Sequence, residues 1–193
     1  LPKAMIEKHQ AAGAGIALVD LSGTGEMTSS RSAANDRLAK LHTLARANLW
    51  LGKTVQGEWV KELHVVTRFL AAEQNAGEIC VEGSREAGLA GLFFAALGGN
   101  VNSVSLHDGP VSYLFDERDT VDFFSMGIHL PGFLQWGDVS LAAALAGKNV
   151  RFMRPVTMSG RALTAEDIKP CRAEFERVRK ACGTSDTVTF EID

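Results

Sequence analysis

The sequence predicts an α/β fold: a mainly parallel sheet of about five strands with helices on both faces, a three-layer sandwich. Three observations lead there. Short apolar runs of strand length alternate with longer segments of helical periodicity. The runs are spaced widely enough for a crossover helix between them, which parallel pairing requires. The 193 residues are 46% hydrophobic and 22% charged, which suits one domain with a real core spanning 1–193.

In order, residues 3–12 read as a helix stopped by Gly13. The run "GIALVDLSG" reads as a buried strand entering a turn. Residues 30–50 read as helical, and a second helix covers "VQGEWVKELHVVTRFLAAEQ". There Trp59, Leu63, Val66 and Leu70 recur by three- and four-residue steps and share a face. "EICVEG" is the next strand, 86–97 a helix, and "VNSVSLHDG" a strand. The stretch 110–137 is irregular and aromatic. "VSLAAALAG" is a short helix and "NVRFMRPV" a strand. Residues 164–182 read as a charged amphipathic helix, with Pro170 expected in the first turn of a helix starting nearer Ile168, and "TVTFEI" is the last strand.

Several function classes are disfavoured by composition. Net charge is −3, with both signs spread along the chain, so there is no basic footprint for nucleic acid. No apolar run approaches the ~18 residues of a membrane span. The first residue is Leu1, and a removed leader or upstream domain is the expectation. Of three cysteines, Cys80 sits in an apolar run and is expected to be buried. Cys171 and Cys182 stand at opposite ends of one helix, too far apart to bridge. No His, Cys, Asp or Glu spacing reads as a metal site, and no cofactor is indicated.

In a parallel sheet, function gathers in the turns at the strands' carboxyl ends. Four such turns are readable. "VDLSGTGEM" has two glycines but lacks the third of a dinucleotide loop. A turn needing positive φ is the plainer reading, and a flavodoxin-like nucleotide binder the weaker rival.

The second turn lies in "ICVEGSREAGLAGLFFAAL". A nucleophile elbow needs small residues two before and two after its apex, because strand and helix backbones crowd there. Centred on Ser84, those places hold Glu82 and Glu86. Centred on Arg85, they hold Gly83 and Ala87, followed by Gly88. The steric pattern therefore puts Arg85 at the apex and Ser84 beside it. The third turn, "SLHDGPVSYLF", offers His107 and Asp108. The fourth, "RFMRPVTMSG", offers Thr157 and Ser159 but no carboxylate. His129 and Asp138 lie in or beside the aromatic insert.

Taken together, "ALVDLSGTGE", "LGKTVQGEWVKELHVVTRFL", "ICVEGSREAGLAGLFFAAL" and "DVSLAAALAGKNVRFMRPV" resemble the α/β-hydrolase superfamily. More narrowly, they resemble its bacterial acetyl xylan esterase-like and prolyl-oligopeptidase-like group. The resemblance spans roughly residues 3–160. Asp20, Gly23 and Gly25 match that group's Asp-x-x-Gly-x-Gly turn. Asp138, Leu141 and Ala142 to Leu145 match the helix before its acid-bearing strand. The elbow departs from Gly-x-Ser-x-Gly-Gly: the serine position falls on Arg85. The acid position falls on or near Thr157, and the histidine position after the last strand is absent.

The resemblance implies a domain related to carbohydrate esterases, an ester hydrolase with a weakened or lost triad. If it is active, its substrate is a small ester or carbohydrate ester. Ser84 is then the nucleophile, His129 or His107 the base, and Asp108 or Asp138 the orienting acid. The rival is a non-catalytic binding or scaffold module on the same fold, with Arg85 facing a cleft and pairing an anion. In that case Tyr113, Phe115, Phe123, Phe124, Phe133 and Trp136 form a lid, a partner surface or a local plug. The superfamily also places strands before the first helix seen here. The expectation is a portion of a longer protein, a closed-up sheet, or an edge completed by a partner or a second copy. A periplasmic or extracellular location is implied by the resemblance alone.

Overall fold

A computed structural model describes residues 3–28, 40–115 and 123–192. Its helices are α1 (Lys3–Ala11), α2 (His42–Trp50), α3 (Val55–Glu73), α4 (Arg85–Ala96), α5 (Val139–Ala146) and α6 (Ala165–Cys182). Its strands are β1 (Cys80–Ser84), β2 (Ser103–His107), β3 (Asn149–Met153) and β4 (Val188–Glu191). The strands form one parallel sheet in the order β1-β2-β3-β4. The α/β class holds, with four strands rather than five.

The missing strand is "GIALVDLSG". Residues 14–20 pair with no strand among the described residues, and Ile16, Leu18 and Val19 are exposed. The run is apolar, but a strand exists only where a neighbour supplies its hydrogen bonds. Only the end of the run is anchored: Leu21 is buried, and Trp59 Nε1 donates to the Ser22 carbonyl at 2.9 Å. Residues 29–39, which carry part of the expected 30–50 helix, lie outside the described residues.

Every strand of this sheet alternates. Val81, Val104, Leu106, Val150, Phe152 and Phe190 point to one face. There α4 approaches so closely that a Cβ on Gly91 would stand 2.8 Å from Val81 Cγ1. From α6, Phe175 packs against Phe152 and Phe190 with ring centroids 5.4 and 5.2 Å away. Between them α5 packs on both helices, and α3 packs on α4. Val104, Leu106, Val150 and Phe152 are wholly buried.

The opposite face is polar. Register places Glu82, Ser105, Arg151 and Thr189 in one row, with Ser84, His107 and Met153 in the next. A helix reaches this face too: His9 of α1 hydrogen-bonds to Glu82 at 2.6 Å. Cys80 opens β1 on this side and is exposed, contrary to the expectation of burial. Its apolar neighbours are on the other face, so alternation decides its exposure.

In α6 the helix begins before Pro170, not around it. Thr164 and Asp167 form a reciprocal capping box at its start. Pro170 sits past the first turn, where its ring removes one hydrogen bond. Burial of Ile168 and Phe175 carries the helix through that defect. No helix among the described residues is long and apolar enough to cross a membrane.

Candidate functional site

The turn from β1 into α4 is tight for a reason that can be read atom by atom. A Cβ on Gly83 would lie 2.7 Å from Gly88 N, and one on Gly88 would lie 2.6 Å from Gly83 O. Only hydrogen fits at both places. Strand and helix can therefore cross in contact, and the residue between them takes the strain. That residue is Arg85, at φ +56°. Ser84 closes the strand in extended geometry, and its side chain makes no capping bond to α4.

The Arg85 guanidinium is held by rings. Its Cζ stands 4.2 Å from the Phe123 centroid and 5.6 Å from that of Phe124. The Glu86 carboxylate is 3.9 Å from Nε, and Nε itself has no hydrogen-bond partner. Glu86 is occupied elsewhere, because its Oε1 accepts the Ser125 N–H. Buried Gln56 of α3 fixes the same corner, donating to the carbonyls of Glu86 and Gly127 at 3.1 and 3.2 Å. Arg85 thus presents a cation at the sheet's carboxyl edge that no tight salt bridge among the described residues consumes.

The same backbone device repeats. Asp108 follows β2 at φ +51°, and Arg154 follows β3 at φ +48°. Because Ser84, His107 and Met153 are in register, Arg85, Asp108 and Arg154 form a row one residue beyond it. Within that row Arg154 donates to both Asp108 oxygens, at 3.0 and 2.9 Å. This bond raises the Arg154 pKa further. Asp108, expected as an orienting acid, is thus turned to an arginine rather than to a histidine.

Below the row, on the polar face, the structure assembles a group that sequence reasoning did not assemble. Glu82 accepts from His107 Nε2 and from His9 Nε2, each at 2.6 Å and each through a different oxygen. Burial pushes this carboxyl upward, but the hydrogen bonds from His107 and His9 outweigh it and hold it below its ordinary value. His107 is 7% exposed, and its Nδ1 has no partner. Ser84 stands in register with His107, yet no hydrogen bond joins them. Of the candidate catalytic residues, only this pair is brought to adjacent positions.

The others serve elsewhere. Asp138 caps α5, accepting from Val139 N at 2.7 Å, and also takes the Tyr113 N–H at 2.8 Å and the Ser112 hydroxyl. Burial, with Asp138 and Glu86 nearby, pushes the Tyr113 phenol well above its ordinary value. His129 is exposed, its Nδ1 3.2 Å from the Met126 carbonyl. Thr157, on or near which the resemblance would put the acid, is bonded to Ser159 at 2.7 Å. In "VDLSGTGEM", Asp20 accepts the Glu26 N–H at 2.9 Å, so the turn closes on its own carboxylate.

Within the insert, Phe133 packs edge-on against Phe93 and Tyr113, at 5.4 and 5.1 Å. Phe124 is buried, whereas Trp136 is 84% exposed. The segment is therefore part plug and part surface. Residues 116–122 of it lie outside the described residues. No group of three or more His, Cys, Asp or Glu among the described residues is arranged to hold a metal ion. The His9–Glu82–His107 trio is a bridge of hydrogen bonds instead.

Glu82 left a signal in the sequence: it is the polar residue at alternate spacing between Cys80 and Ser84. Comparison with protein-family models, with curated proteins and with solved structures finds no match.

Proposed function

We propose that this chain is an α/β-hydrolase-type domain that holds a carboxylate-bearing small ligand at its elbow and does not turn over an ester there. The observation that supports this reading is the residue at the strained apex. Arg85 cannot attack a carbonyl, but a planar guanidinium on aromatic faces is well suited to a carboxylate. The candidate acids of a relay are committed to other partners. Asp108 is paired with Arg154, and Asp138 is spent on capping and on the start of the insert.

The test is calorimetric titration with small carboxylates, sugar acids included. Binding is expected, and Arg85→Ala should weaken it about tenfold. Arg85→Lys should recover part of the loss, since charge remains and the fork does not. Affinity unchanged by Arg85→Ala removes the proposal.

A second reading is ester hydrolysis at Ser84, and one observation favours it. Glu82 fixes His107 through Nε2, leaving Nδ1 free to take a proton beside Ser84. A short-chain acyl ester assay separates the two. Equal background rates for the parent chain and Ser84→Ala support the ligand-holding reading. A rate that depends on Ser84 supports hydrolysis.

A further inference from the structure

We propose that α1 is an acid-releasable cover on the polar face of the sheet, fastened by one carboxylate shared between two imidazoles. Among the described residues, His9–Glu82 is the one polar link between α1 and the rest of the fold. The other ion pair of α1, Lys3 with Glu7, is internal to the helix. Met5 and Ile6 are only half-buried, so little apolar packing reinforces the link. Glu82 in turn is held in place by His107 from β2.

The charges around this carboxylate decide what acid does. From α1 comes His9, beside the exposed Lys8; from β2 comes His107; from β3 comes Arg151, whose Nε donates to Ser105 Oγ at 3.1 Å. Glu82's own strand brings only Cys80 and Ser84 to this face. Glu191 shares this face from β4, at the far edge of the sheet from β1, so among the described residues Glu82 is the carboxylate that the two imidazoles share. While Glu82 is ionised, one carboxylate accepts from both imidazoles, one on each oxygen. Once acid protonates it, the charged acceptor that joins α1 to β2 is lost, and the positive charge of Arg151 on this face is no longer offset by it.

The sign is consistent with the position of Glu82. Its carboxyl is held below the ordinary value in the folded chain. The stability it contributes is present above the unfolded pKa and is lost as pH falls through the folded one. Because α1 has few other contacts, that loss falls first on α1. The sheet is held from its other face.

Hydrogen exchange of the whole chain, corrected for intrinsic rates, tests this. From about pH 6 to about pH 3.5, protection of residues 3–11 should fall about tenfold while β2 keeps its protection. His9→Ala, a change at a half-exposed helix position, should give the low α1 protection at both pH values and abolish the step. Unchanged α1 protection in the parent chain would overturn the proposal. So would a step that survives in His9→Ala, or loss of β2 protection in parallel with α1, which would mark general acid unfolding.

Discussion

The two faces of the sheet are built from the same four strands and obey different physics. On the face toward α4 and α6, Val104, Leu106, Val150 and Phe152 are wholly buried and pack against Phe175 and the glycines of α4. On the face toward α1, the in-register positions carry Glu82, Ser105, Arg151 and Thr189. Parallel sheets are ordinarily apolar on both sides. Here stability is concentrated on one side, which leaves the other free to carry charge, to titrate and to make exchangeable contacts.

The comparison breaks most easily from the apolar side. Phe152→Ala removes a ring that stacks on Phe190 and meets Phe175 edge-on. It should cost about 3–5 kcal/mol, measured as a fall in the urea midpoint. A small effect would mean that the faces are not so different. Next comes Gly88→Ala at the elbow. Its new methyl would press on the Gly83 carbonyl and, at 3.3 Å, on the Leu106 Cα. About 1–3 kcal/mol of destabilisation is expected by the same measurement.

On the polar face the effects should shrink and become dependent on pH. Glu82→Gln should lower stability near neutrality by about 1 kcal/mol, the scale of a net hydrogen bond. It should also flatten the acid limb of the stability profile, because the parent chain alone loses the benefit of a depressed carboxyl there. A steep acid limb retained in Glu82→Gln would assign that limb to other groups. Smallest of all, Thr189→Val, at an exposed position of β4, should stay within about 0.5 kcal/mol, read by thermal melting.

Much of this contrast was legible in the sequence. Alternation within "NSVSLH", "NVRFM" and "TVTFE" already separates an apolar from a polar side. The position of the apex was legible too, because Gly83, Ala87 and Gly88 are steric constraints on neighbours in the chain. What stayed hidden depends on register. Nothing local says that His107 meets Glu82 or that Asp108 meets Arg154, residues 25 and 46 positions apart. Nor can an apolar run announce that no neighbour will pair with it, as with Ile16, Leu18 and Val19. Asp138 shows a third case: a carboxylate before an apolar helix reads equally as a cap or as a catalytic acid, and contacts decide.

The row of left-handed residues at 85, 108 and 154 carries a consequence for how this fold tolerates change. Each position holds a charged side chain where the backbone would rest more easily with glycine. Arg85→Gly should relieve strain and raise the melting temperature, while removing the cation from the elbow. A selection for robustness alone would drift toward glycine there. Arginine at the apex is thus a fingerprint of a trade, in which the chain accepts a less relaxed backbone in order to keep a charge in view of solvent.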